Sequence, residues 1–344
     1  MVKGPTDISE LHELASRPAE GILQALKEID SDVLVIGAGG KMGFHLSTML
    51  HRALHQIHSR FRVIAISRFS APQAMEPFRQ QGIETIACDL TNQQAVEGLP
   101  DSLAIFYLAG VKFGTSQNAQ LLRQINVELP ARIAERYLES RIVALSTGCI
   151  YPFVTPASGG SIETDADVKD DAIDPPGEYA ISCVGRERAF ADSAALTSLV
   201  RLNYSVDLRY GVLVDLARKV LREEPIDVTT GFVNVIWQGD ANAYIIRALS
   251  HAATPPFVVN VTGGQILRVR DVALRFANLF GKETILSGKE NETAWLSDAA
   301  KSHDLWGMPT VGEDELIEWV AGWLLQGCPI LDKPTHFEVR DGRY

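Results

Sequence analysis

At 344 residues, with 46% hydrophobic and 22% charged side chains, the chain has the balance of an ordinary globular enzyme rather than a disordered or fibrous one. It is long enough for a large α/β domain and a smaller second lobe to bury their cores without staples. Its formal net charge of −11, with acids and bases interspersed, argues against a nucleic-acid partner and leaves anion binding to local features such as helix N-termini.

Residues from about Thr6 to Asp30 are expected to form a helical prefix, with Asp7 as N-cap and Ile22, Leu23, Leu26 and Ile29 at helical spacing, packed on the outside of the next elements. "DVLVIGAGG" then reads as a buried strand ending in glycines, and "KMGFHLSTMLHRALHQI" as an amphipathic helix. The alternation continues with "RVIAISR" (strand), "APQAMEPFRQQ" (helix), "IETIACDL" (strand), "NQQAVEGL" (helix), "LAIFYLAG" (strand), a long helix to about Ser140, and "RIVALSTG" (strand). Strands separated by helices of this length imply right-handed crossovers and a doubly wound parallel sheet, the Rossmann α/β class. A loop rich in Gly, Asp and Pro from Tyr151 to Glu178 leads to a helix near Tyr179 and the strand "SLVRLNY". Three parts are expected: a helical extension over 1–30, a dinucleotide-binding domain over 31–204, and a smaller mixed lobe over 205–344 that closes over a ligand, with segments interleaved.

The four cysteines, Cys88, Cys149, Cys183 and Cys328, lack metal-type spacing and read as free thiols of a reducing compartment. The N-terminal residues lack the apolar core of a signal peptide, and no apolar run reaches spanning length, so a cytoplasmic location and no membrane partner are expected. His45, His51, His55 and His58 share one helix without a carboxylate or Cys pattern, and are expected to be surface or half-buried residues rather than metal ligands.

Gly37, Gly40 and Gly43 form a G-x-x-G-x-x-G array between strand and helix. Such glycines permit a tight turn and close approach of a pyrophosphate to backbone N–H groups. Lys41 and Met42 complete that loop. The second strand ends in Ser67 and Arg68 with no acid, which favours NADP over NAD, NAD remaining possible. Asp89 after the third strand is either a turn residue or an adenine contact.

With "FYLAGVKFGTS", "QINVELP", "LSTGCIYP", "PPGEYAIS" and "VRLNY", the chain resembles the extended short-chain dehydrogenase/reductase, or NAD-dependent epimerase/dehydratase, family from about residue 33 to 203. UDP-galactose 4-epimerase-like enzymes are its most familiar members. The resemblance implies adenine contacts at Asp89 and Leu90, and a cofactor-lining strand end at Leu108, Ala109 and Gly110. It also implies a phosphate-side lysine at Lys112 and a structural amide at Asn126. Thr147, with Ser146 as fallback, matches the catalytic hydroxyl, and Tyr179 the acid/base tyrosine. The family's Y-x-x-x-K is broken, because Cys183 stands where the lysine belongs. Arg186 and Arg188 lie further along the helix, at spacings not expected to restore the lysine's contact. Two readings remain: an NAD(P)-dependent oxidoreductase or epimerase/dehydratase acting on a sugar or sugar derivative, or a catalytically silent, regulatory dinucleotide-binding protein. The family also implies a homodimer formed through the helices of Asn126 and Tyr179.

Overall fold

The structure is a computed structural model that describes residues 4–112, 118–170 and 173–340. The expected helical prefix is two short helices, α1 (Ile8–Ala15) and α2 (Glu20–Leu26), the first capped by Asp7 accepting from the Glu10 amide. Pro18 lies in the break, where it supplies no backbone N–H and disfavours helical geometry in Arg17 before it. The alternation then runs β1 (Val33–Ile36), α3 (Gly43–Gln56), β2 (Val63–Ser67), α4 (Glu76–Gln80), β3 (Glu84–Ala87), α5 (Gln93–Glu97) and β4 (Ala104–Tyr107). The expected long helix is α6 (Ala119–Arg123) and α7 (Leu129–Arg136), joined through a π-helical turn at Gln124–Glu128. It is followed by β5 (Arg141–Thr147), α8 (Glu178–Ala191) and β6 (Leu196–Leu202).

Beyond these lie β7 (Ser205–Val206), α9 (Val212–Leu221), β8 (Ile226–Asp227), β9 (Phe232–Val233), β10 (Ile236–Trp237), α10 (Gln238–Arg247) and β11 (Phe257–Val261). Then come β12 (Leu267–Arg268), α11 (Val269–Phe280), β13 (Leu286–Ser287), α12 (Ala300–Trp306) and α13 (Glu313–Leu325). Seven strands form one parallel sheet in the order β11-β6-β5-β4-β1-β2-β3. Alternate strand residues enter opposite cores: Val33, Val35 and Phe106 meet α2, α3 and α10, whereas Leu34, Ile36 and Tyr107 meet α7 and α8. Segments 238–261 thus return to the first layer after the chain has begun the second lobe. That lobe has its own core around Leu216, Phe276, Val320 and Trp323, and it takes up Leu11 and Ala15 from the N-terminal extension. The extension therefore touches both bodies, α2 packing on the first and α1 bridging from the second core to α3 through His12 and Glu13.

One polar knot holds the sheet, α8 and the long loop together. Arg201 on β6 and Glu187 on α8 are both buried, with Nη2 2.8 Å from Oε2. The remaining donors of Arg201 reach Tyr151 Oη (2.9 Å) and the carbonyls of Glu163 (2.7 Å) and Ala166 (2.8 Å). Ser146 Oγ donates to the same carboxylate, and Tyr151 Oη donates to Asn260 on β11 at 2.7 Å. Every donor is matched, which is the condition under which a buried pair offsets its desolvation. Glu187→Gln removes the counter-charge and is expected to destabilise the fold by about 3–5 kcal/mol, read from urea unfolding; a native-like midpoint would contradict the knot's role.

Candidate functional site

The strand order reverses between β1 and β4, and open α/β sheets place ligands at such a switch point, beyond the carboxyl ends of the strands. Gly37 leaves β1 with φ of +89°, and a Cβ there would lie 2.5 Å from the Ala109 amide nitrogen that follows β4. A Cβ on Gly43 would run into the Ala38 carbonyl, so the first turn of α3 closes directly onto the loop. No side chain caps α3, which leaves its N-terminal N–H groups to face the opening.

Two cavities meet there, sharing Gly37, Gly40, Leu108, Gly110 and Val111 as walls. The one of about 330 Å³ carries Ser67, Arg68, Asp89, Leu90 and Ala109. Arg68 is exposed, with Nε 3.2 Å from Ser70 Oγ. Asp89 Oδ1 accepts from the Thr91 amide (3.0 Å) and hydroxyl (2.8 Å), one of the two uses expected of it, and these bonds hold its carboxyl below the ordinary range. The other cavity, of about 410 Å³, is lined by Lys41, Met42, Gly43, Lys112, Thr147, Tyr179 and Arg186, together with Tyr204, Ser205, Tyr210 and Gln238. All the residues singled out from the sequence for cofactor and catalysis, apart from Asn126, line one or other cavity. The glycines, the uncapped helix and the continuous trench fit a dinucleotide.

Lys41 Nζ stands 3.1 Å from the centroid of the Tyr210 ring, and burial, with Lys333 and Lys112 nearby, lowers its pKa to about 8. Thr147 Oγ1 accepts from the Cys149 amide at 3.2 Å, so it caps the turn after β5. Its hydroxyl proton finds no acceptor among the described residues and is left for the cleft. Ser146 also lines this cavity, but its hydroxyl proton is committed to Glu187.

Asn126 sits in the π-helical turn, fully buried, a device that recurs where a helix must offer a side chain out of register. Its Oδ1 accepts from Val111 N (3.0 Å) and Arg186 Nη2 (2.8 Å), while Nδ2 donates to Val111 O and Ser182 Oγ, each at 2.9 Å. It thus ties the loop after β4 to α8. On α8, Tyr179 is half-buried and Cys183 is fully buried. Burial drives the Tyr179 phenol well above its ordinary 10, and the Cys183 and Cys149 thiols act in the same direction, with Arg186 opposing.

Behind the cleft runs a second polar chain that no local sequence pattern marks. His45, expected at or near the surface, is 1% exposed. Its Nε2 is 2.7 Å from His12 Nδ1 on α1 and its Nδ1 is 2.7 Å from Gln238 Nε2, so the helix hides it between the N-terminal extension and the cleft wall. Asp207, bound by Arg209, lies 4.0 Å away. The partners stand 33 and 193 residues off, beyond any local pattern. His51 is half-buried, and His55 and His58 are exposed or nearly so.

Residues 33–197 match the family described as "NAD dependent epimerase/dehydratase family". Among solved structures the chain is similar to MoeE5 in complex with UDP-glucose and NAD, at 21% identity and TM-score 0.66 over 86% of this chain and 99% of that one. It is similar to the Thermus thermophilus UDP-glucose 4-epimerase in complex with NAD, at 19% and 0.66 over 84% and 97%. It is also similar to DesIV, a dTDP-glucose 4,6-dehydratase from Streptomyces venezuelae, at 17% and 0.70 over 86% and 97%. At these identities the likeness establishes the fold. No curated protein matches the chain in sequence. Among the described residues no helix is long and apolar enough to cross a membrane.

Burial lowers the His45 pKa from 6.5 to about 3; Asp207 opposes the shift, while Arg209, His12 and Arg52 add to it. The unfolded chain therefore takes up a proton below about pH 6.5 that the folded chain refuses, and stability falls as the pH drops. His45→Gln removes that proton site. From about pH 7 to about pH 5 it is expected to lose about 2 kcal/mol less stability than the native protein, by urea unfolding; equal losses would contradict the neutral, buried imidazole.

Proposed function

We propose that this chain, whose residues 33–197 match the NAD dependent epimerase/dehydratase family of enzymes, is an NAD(P)-dependent oxidoreductase or epimerase/dehydratase. Its substrate is a sugar or sugar derivative, and the reaction is hydride transfer at a hydroxyl-bearing carbon. The observation that carries this reading is the uninterrupted trench from the glycine turn to Thr147 and Tyr179. Similar structures solved with UDP-glucose or UDP-glucuronic acid support a carbohydrate substrate.

When bound, the dinucleotide supplies a nicotinamide able to accept or return hydride. Gly37, Gly40 and Gly43 admit its pyrophosphate, with Lys41 and the N-terminus of α3 meeting the negative charge. Thr147 donates its free proton to the substrate oxygen and fixes its position. Tyr179 Oη takes the substrate's hydroxyl proton in the oxidative direction and gives it back in the reductive one. Since its phenol is held well above 10, the phenolate is scarce near neutrality, and oxidative turnover should climb through the alkaline range. NADP is assigned the preference because exposed Arg68, and no carboxylate, ends β2 at the adenosine side of the trench. Between α6, the π-helical turn and α8 lies a groove of apolar residues such as Leu122, Val127 and Ile181 rimmed by Arg123, Glu128, Glu178 and Arg188, which supports a homodimer through these helices; a monomer in light scattering would remove that part.

The test is nicotinamide absorbance during additions of sugars and sugar acids. Tyr179→Phe is expected to lower turnover by about a hundredfold or more, and full activity in that variant would overturn the assignment. Dinucleotide occupancy with no turnover on any substrate would instead favour the silent binder. Arg68→Ala is expected to reduce the NADP-over-NAD preference about tenfold; an unchanged ratio contradicts the cofactor assignment.

A further inference from the structure

Cys183 leaves α8 without the ammonium that the family's motif places one turn beyond the tyrosine, yet the same helix carries a cation further on. Positions 179, 183 and 186 share one helical face. Long side chains on a helix lean toward its N-terminus, so a residue at 186 is directed back toward the turn of Cys183. Arg186 follows that course. It lines the same cavity wall as Tyr179 and Thr147, and its Nη2 lies where a Cβ on Gly110 would have to sit, so glycine at 110 makes room for the guanidinium.

Its bonding leaves the charge uncompensated. Nη1 donates to Leu145 O (3.1 Å) and Nη2 to Asn126 Oδ1 (2.8 Å), both neutral acceptors. Arg186 is 6% exposed, and its Nε has no partner among the described residues. No carboxylate among the described residues pairs with it, and the adjacent Glu187 is taken by Arg201. A buried cation held only by neutral groups is unfavourable unless an anion forms beside it.

We propose that Arg186 replaces the missing lysine as a positioning cation, favouring the negative charge left on Tyr179 Oη once that phenol has given up its proton. This rests on the reading of Tyr179 as the acid/base group. The titratable and charged groups that act on Tyr179 are the Cys183 and Cys149 thiols, Arg186, and Lys112, whose Nζ is 5.5 Å from the ring centroid. Neither thiol supplies a positive charge to the phenolate. Lys112 is half-buried on the loop after β4, whereas Arg186 is fixed between the β5 carbonyl and Asn126, so its charge does not depend on a flexible stem. The π-helical turn then acquires a purpose, since it brings the Asn126 amide out to orient this guanidinium.

The test reads the phenol directly. A difluorotyrosine incorporated at position 179 is intrinsically more acidic than tyrosine, and its fluorine resonance reports ionisation without substrate or cofactor. Arg186→Gln is expected to raise that apparent pKa by about one unit or more, and Arg186→Lys, which keeps the charge, by clearly less. Adding Cys183→Lys to Arg186→Gln is expected to bring the value back down, a rescue that a purely structural arginine would not permit. Should Arg186→Gln fail to fold, Arg186→Met removes the buried charge with its desolvation cost and carries the same expectation. Titrations of the neutral and charged variants that coincide with the native one would overturn the proposal. Failure of the Tyr179 reading itself shows separately, as full turnover in Tyr179→Phe.

Discussion

The buried pair of Arg201 and Glu187 is the constraint on which the geometry of the cleft depends. Glu187 follows Arg186 in α8 and is fully buried on Arg201. With that residue fixed against β6, the rotation of the helix about its own axis is fixed as well. Tyr179 and Arg186, two turns apart on one face, then line the trench, while Cys183 between them is buried against Ile150 and Tyr151. The same guanidinium gathers the carbonyls of Glu163 and Ala166 and, through Tyr151, Asn260 of β11. The long loop between β5 and α8 is thereby held to the sheet beside Thr147. An isolated ion pair of this depth would be a weak source of stability; a saturated one specifies a single arrangement.

A second set of constraints comes from space. The glycines at 37, 43 and 110 are each required by a neighbour that occupies the Cβ position: the Ala109 amide, the Ala38 carbonyl and the Arg186 guanidinium respectively. The first two keep the turn after β1 tight against Ala109 and the start of α3, and the third leaves room for a charge on the cavity wall.

Much of this is legible in the sequence because it is local. The strand and helix periods, the glycine spacing and the order of motifs from Gly37 to Asn203 are each carried by a few neighbouring residues, and the seven-stranded parallel sheet follows from their alternation. The features that escape a sequence reading are non-local. The return of α10 and β11 to the first layer depends on which core accepts Ile245 and Val259. The burial of His45 depends on His12 in the N-terminal extension and Gln238 far downstream, neither within reach of a pattern on α3. The place of Arg186 is hidden for a different reason. A spacing of seven looks remote as a distance along the axis, but two turns on one face, and a side chain leaning back toward the N-terminus, set where its charge lies.

On the proposed function, the trench at the switch point binds a nicotinamide dinucleotide through its glycine turn. Titrating NADPH into the protein and following nicotinamide fluorescence tests it most directly. The account requires a saturable change with one site per chain, weakened severely or lost in Gly43→Val, whose side chain would force α3 from the Ala38 carbonyl. Fluorescence unaltered by the native protein, or identical binding by Gly43→Val, would contradict it.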